Sequence, residues 1–269
     1  MHNRVAGSIA VLALMTVFSS AALAQRGGGT RGAAPAAPSV PHDPHDLTGV
    51  WLGGGGGGGN RNPVTQWLRQ APPLTAEGKA KMDSNKSGKG PRAVMPALGN
   101  DPIGDANPPG LMRTLVYNRP LQIINAGDQI VTLFEWGHFW RSIWMDARKV
   151  PDDPDPRWYG YSVGHWDGDT LVVDTVGLDP RGWLDEWGTP FSEETKVEER
   201  WHRVDRDTLE LTFTLTDPKY YSKPWTSDTR TFRLQGKNSP DHELLEVIFA
   251  PLDEQEFNRR VRNPAAGVK

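Results

Sequence analysis

Residues 158–173, WYGYSVGHWDGDTLVV, contain Gly160-Tyr161-Ser162-Val163-Gly164. That is the G-x-S-x-G spacing which, in serine hydrolases, sets a nucleophile on a strained turn between a strand and a helix. The chemistry also needs a histidine base within reach of the serine and an oxyanion hole at the helix that follows. Here Gly164 is followed by His165-Trp166-Asp167-Gly168 and then by the β-branched run 170–176. Asp167-Gly168 is a two-residue hairpin signal, so Ser162 is expected inside a strand rather than on an elbow. His165, three residues on, falls on the opposite face of that strand. The serine is therefore not expected to be a nucleophile.

A turn at Asp167-Gly168 places Tyr161 opposite Asp174. Tyr161, Val163, His165, Val172 and Asp174 then share one face, and Ser162, Trp166, Leu171 and Val173 the other. Asp174 lies between Val172 and Val176. A carboxylate in apolar company needs a partner or has a raised pKa, and Tyr161 is the expected donor. A second hairpin spans 196–217. A three-residue loop, 205–207, aligns Leu209, Leu211, Phe213 and Leu215 with Arg203, Trp201, Glu199 and Val197, which turns Glu199 and Arg203 inward. In 134–141, FEWGHFWR, a three-residue loop would bring Glu135 diagonal to Arg141, and a two-residue loop would separate them.

Inward charges among aromatics are what ligand sites look like, and also what a strand-tying polar network looks like. The candidate ligand-binding residues are Glu135, Trp140, Arg141, Tyr161, His165, Asp174, Glu199, Trp201 and Arg203. Trp136, Trp140, Trp144, Trp158, Trp166 and Trp201 offer faces for sugars or aromatic rings. Glu135, Asp174 and Glu199, with Arg141, Arg203 and Tyr161 to stabilise charge, could instead serve acid–base chemistry.

Other motifs point to no cofactor and no metal. His42 and His45 in HDPHD have no further ligand beside them. Asp152, Asp153 and Asp155 lack a calcium-loop spacing. Gly53–Gly59 is not followed by Gly-Lys-Ser/Thr, as a phosphate loop would require.

The elements that must position these residues are short β-branched and aromatic runs between turn residues. They fall at 47–52, 119–125, 129–136, 139–146, 160–166, 169–176, 196–204, 208–216, 228–235 and 243–249. Tight links make neighbours antiparallel, and a meander this long removes its edges by closing. The expected fold is all-β: an antiparallel meander closing into a lipocalin-like barrel, with a long N-terminal loop region and a short C-terminal helix. Thr75 caps a helix candidate at 74–83, residues 84–118 read as an ordered loop across a barrel mouth, and 252–262 as the closing helix with Phe257 and Val261 four apart.

The N-terminus carries Arg4, an apolar run at 9–18 and Ala22-Leu23-Ala24, the pattern of a cleaved secretory signal. Residues 25–45 are a Gly/Ala/Pro linker, and 46–269 form one barrel domain. The 269 residues include no cysteine, which excludes disulfides and thiolate metal sites. A net charge of −3 without a basic stripe argues against nucleic acid. No later stretch is long enough to span a bilayer as a helix. The mature chain is expected in the periplasm or outside the cell.

HDLTGVW (45–51), with Gly49-x-Trp51, resembles the lipocalin opening, which implies that Trp51 plugs the barrel base. From about residue 72 the chain resembles an uncharacterised family of secreted bacterial proteins. The shared stretches include APPLTAEGKAK, PRAVMPALGNDPIG, EWGHFWRSIWMDARKVP, WYGYSVGHWDGDTLVVDTVGL and FNRRVRNPAAG. Members often carry Cys in the segment matching Ala106, where this chain has none. This resemblance implies export and no particular activity. The expected function is binding of a small apolar or ring-shaped molecule, carbohydrate included, in the barrel. The alternatives are a pocket enzyme with paired carboxylates (lyase, isomerase or glycoside-acting hydrolase) and a structural protein without a pocket.

Overall fold

A computed structural model describes residues 40–53, 72–95, 98–105, 107–116, 119–240, 242–246 and 257–265. The signal segment, residues 25–39 of the linker, Gly54–Gly59, Ala106, 247–249 and 252–256 lie outside the described residues. All described residues fall in one compact unit, 39–269.

Ten strands form a single sheet: β1 (Gly49–Gly53), β2 (Pro120–Asn125), β3 (Gln129–Phe134), β4 (Phe139–Trp144), β5 (Tyr161–Asp167), β6 (Thr170–Val176), β7 (Lys196–Asp205), β8 (Thr208–Thr216), β9 (Trp225–Thr226) and β10 (Arg230–Leu234). The order runs β1 to β8 in sequence. β10 then bridges β8 to β1, so nine strands close a barrel and β9 hangs on the far half of β8. Closure leaves those nine without a free edge over their paired lengths.

One joint departs from the antiparallel meander. β4 and β5 run parallel, through only Ile143↔Ser162 and Trp144↔Val163. Parallel neighbours need a long return connection, and residues 145–160 provide it. The expected strand at 243–249 is absent from 242–246, which carries no regular structure.

Inward side chains fill the barrel. Trp51, Leu121, Phe134, Ile143, Leu171, Val173, Trp201, Leu211, Phe213 and Phe232 belong to one contiguous buried cluster. Trp51 is fully buried, and its indole N–H donates to the Leu47 carbonyl at 2.8 Å.

The two ends are closed differently. At the end with the β5–β6 and β7–β8 turns, residues 42–47 form a strap. His45 stacks on Trp166 at 4.2 Å and bonds the Gly168 carbonyl at 3.0 Å, while Leu47 is buried. HDPHD is thus a fastened strap rather than free linker. At the other end a helix, α2 (Gly110–Val116), enters the core with Leu111, Met112 and Leu115. This helix replaces the loop expected over the segment. The sequence does carry a signal for it: Leu111, Met112 and Leu115 at i, i+1 and i+4, straight after Pro108-Pro109.

Helix α1 (Ala76–Ser84) starts as expected, with the Gly78 N–H bonded to the Thr75 hydroxyl at 3.0 Å. Gly78 itself is needed for close approach, since a Cβ there would lie 2.3 Å from the Tyr220 carbonyl oxygen. The C-terminal helix runs over Asn258–Arg262 and Asn263–Ala265. Phe257 at its start and Val261 within it are exposed and do not pack inward.

Candidate functional site

The inward charges converge on one ion pair. Arg141 from β4 and Glu199 from β7 face each other across the barrel. Nη1 donates to Oε1 at 2.7 Å and Nη2 to Oε2 at 2.6 Å, with the side chains 2% and 0% exposed. The Trp201 indole N–H adds a third donor to Oε2 at 3.0 Å. A two-pronged, charge-assisted pair is the geometry in which an arginine and a carboxylate best satisfy each other away from water. Tyr159 lies nearby, its ring 5.7 Å from Phe134 and 5.6 Å from Phe139, its hydroxyl 3.1 Å from that of Thr114. Burial pushes the Tyr159 phenol well above its usual range, against the opposing effects of Thr114 and Arg141. It remains a neutral donor at any physiological pH.

Glu199 and Arg203 do face inward, and the register of β7 against β8 is the expected one: Arg203↔Leu209, Trp201↔Leu211, Glu199↔Phe213 and Val197↔Leu215. A bulge at Val204 accommodates the third loop residue. Arg203 serves a different role from Glu199, however. Its guanidinium lies 5.4 Å from the Trp51 ring and donates to the carbonyls of Asp46 and Arg206, so it seals the strapped end.

Glu135 does not meet Arg141. Phe134 pairs with Phe139, so four residues, 135–138, form the link and Glu135 belongs to the turn. Its carboxylate is buried. It accepts the Leu245 N–H at 3.1 Å and lies 3.8 Å from Arg119. Trp140 points outward and is 63% exposed.

The β5–β6 hairpin is shifted from expectation. The turn is Gly168-Asp169, with φ +58° at Gly168, and Asp167 pairs with Thr170. A glycine at the first of two turn positions suits a hairpin as well as Asp167-Gly168 does. The shift moves each partner by two residues, which preserves the faces and changes the neighbours. Tyr161 stands opposite Val176, not Asp174, and Asp174 stands opposite Val163. The Ser162 hydroxyl is buried and bonds that of Thr175 at 2.8 Å. It has the environment of a structural serine, inside a strand.

The face carrying Tyr161, His165 and Asp174 is the outer one. Val163, Val172 and Val176 make it as apolar as the inner face, so the pattern misdirects. Outside, Val163, His165, Asp174 and Val176 help floor a cleft of about 1100 Å³. It crosses β5, β6, β7 and β8, with residues 147–154 as one bank and 193–194 as part of the other. The cations Arg148, Lys149 and Lys196 and the carboxylates Asp152, Asp174, Glu193, Glu194 and Glu198 bring charge to it, His165 a ring, and Val163 and Val176 apolar surface. Tyr161 is held beside it by Arg157, whose guanidinium lies 4.0 Å from the ring.

Asp174 pairs in register with Glu198. Opposed residues in a ladder have their Cβ atoms roughly 5 Å apart, and like charges placed so repel. Glu198 has Arg200 at 3.8 Å. Asp174 has no ion pair or side-chain hydrogen bond among the described residues. Arg200 is itself drawn to Asp167 at 2.8 Å, which holds the Asp167 carboxyl below its usual range. Sequence reasoning does not single out Lys196 and Glu198. Their alternation along β7 marks them as outward, but residues 177–195 separate β6 from β7, so no turn rule sets their register.

Of the nine candidates, Arg141, Glu199 and Trp201 form one buried unit. His165 and Asp174 share the cleft, with Tyr161 at its side, while Glu135, Trp140 and Arg203 stand apart. Among the described residues no three His, Asp or Glu side chains gather as a metal-binding set, and no helix is long and apolar enough to cross a membrane. No family model, curated protein or solved structure matches the chain.

Proposed function

We propose that the chain is an exported binding protein and that its seat is the outer cleft over β5–β8. One observation carries this: Asp174 stands opposite a second carboxylate, without a cation of its own, on the floor of a cleft large enough for a small molecule. A ligand ammonium group placed between Asp174 and Glu198 would relieve their repulsion. The cleft lining includes no Trp, Phe or Tyr among the described residues. A polar, amine-bearing ligand therefore fits it better than a sugar or ring stacked on tryptophan. The N-terminal signal pattern supports export.

The test is a thermal-melt panel of amines, amino sugars and neutral sugars, with native mass spectrometry of the hits. An amine should raise the melting temperature, and Asp174→Asn and Glu198→Gln should each abolish the rise. Stabilisation by neutral sugars alone, or hits indifferent to both variants, would sink the proposal.

The enzyme alternative rests on Asp174 and Glu198. Glu135, Asp174 and Glu199 belong to three separate environments and cannot act as one pair. Mass spectrometry on the incubated hits distinguishes binding from catalysis, since turnover changes the ligand's mass and binding does not.

A further inference from the structure

We propose a second ligand seat on the opposite side of the barrel wall, under residues 242–246, and that it takes a small aromatic amine. A groove of about 410 Å³ lies between this segment and the outer wall of β1–β3. Val50 and Leu133 line it from the outer wall and Leu244 from above, with Phe134 and Phe139 reaching it at the β3–β4 end of the barrel. That volume suits a small ring system, and an apolar lining with few polar groups is how such rings are held. Gln122 supplies the polar handle. Its amide lines the groove and makes no hydrogen bond among the described residues.

The cover over the groove is pinned at one residue. The Leu245 N–H donates to Glu135 at 3.1 Å, and the Leu245 carbonyl is bonded by the His138 ring at 3.0 Å. Two side chains of the β3–β4 turn thus engage both backbone polar groups of Leu245, as a strand partner would. His138 takes φ +55° and Gly137 φ +81°. A histidine held in the left-handed region is strained, and such strain persists where surrounding structure imposes it. Here it aims the ring at the covering segment.

Charge chooses among ring ligands. Glu243 and Glu246 line the groove together with His138 and His242, whose ring lies 3.4 Å from Glu243, and no lysine or arginine does so among the described residues. A ring with an ammonium group is complementary to this edge, and a ring carboxylate is repelled.

The experiment is equilibrium titration of the full chain with 1-naphthylmethylamine, 1-naphthalenemethanol and 1-naphthoic acid, which share a ring and differ in charge. The amine should bind at least tenfold more tightly than the acid, with the alcohol between. Leu133→Arg, which fills the groove and adds positive charge, should abolish amine binding. Gln122→Ala should weaken it at least threefold. Leu133→Arg is first checked for a native melt; if it does not fold, Gln122→Ala decides the outcome. No binding of the amine, preference for the acid, or indifference to Gln122→Ala would each overturn the proposal.

Discussion

Glu198 and Glu199 are neighbours in the chain and opposites in the fold. Glu199 points into the barrel, where Arg141 and Trp201 give its carboxylate three donors. Glu198 points out, facing Asp174 across the ladder, with Arg200 at 3.8 Å. The pleat alone separates them. Yet Glu199 has the satisfied environment of a structural group, while Glu198, with only a long contact to Arg200, faces Asp174, which has no ion pair among the described residues. Convergence of charges is thus a poor guide to a site, and a charge left without its counter-charge is a better one.

The largest effect expected is at the inner pair. Glu199→Ala leaves the Arg141 guanidinium buried with no counter-charge, and breaking such a pair costs about 3–5 kcal/mol. Arg141→Met combined with Glu199→Leu should recover most of that, because well-packed apolar groups can replace a buried pair at little loss. Chemical denaturation of both variants measures it. A double variant as unstable as the single one would show that the pair does more than neutralise itself.

Next in size is Trp201→Phe. It keeps the ring in the core but removes the indole donor to Glu199, for a loss of about 1.5–3 kcal/mol, the range for hydrogen bonds to charged groups. A loss well under that range would mean that Arg141 alone satisfies the carboxylate.

Asp185 supplies an intermediate case. Its buried carboxyl accepts from the Trp187 and Thr189 N–H groups and the Thr189 hydroxyl, all neutral donors. Burial pushes its pKa up, and these donors and Arg113 oppose the rise without cancelling it. A carboxyl with a raised folded pKa contributes most below its unfolded pKa, about 4. The contribution is lost as the pH rises through the folded value. The wild type should therefore lose stability relative to Asp185→Asn between about pH 4 and pH 7. Paired denaturation curves at the two pH values read this directly, and a gap moving the other way would show that the donors outweigh desolvation.

How much of this was legible in the sequence differs from strand to strand. The β7–β8 register was, because Leu209, Leu211, Phe213 and Leu215 alternate cleanly with polar residues and only one alignment buries them. The faces of β5–β6 were legible, but which face pointed inward was not, since both carry valines. Its turn was ambiguous because Gly168 serves equally at the first or second turn position. The Arg141–Glu199 pair was beyond any local rule. β4 and β7 are not neighbours in the sheet, and the two residues meet only because the barrel closes. The same holds for the parallel β4–β5 joint, set by a return segment with no strand pattern of its own.

The smallest stability effect is expected at the outer pair, and it bears most directly on the comparison. Asp174→Asn removes a negative charge that faces Glu198 and has no cation of its own. A surface change of this kind shifts stability by about 0.5 kcal/mol or less, and relief of repulsion makes the sign stabilising. A group whose removal leaves the fold unharmed or improved is not held there by the fold. The same substitution is expected to abolish ligand stabilisation in the cleft. The two measurements therefore pull apart at Asp174, whereas at Glu199 loss of fold and loss of every other property go together. If Asp174→Asn instead destabilises the chain by more than about 1 kcal/mol, well outside the surface range, Asp174 is a structural residue like Glu199. The outer cleft then loses its claim as the binding seat.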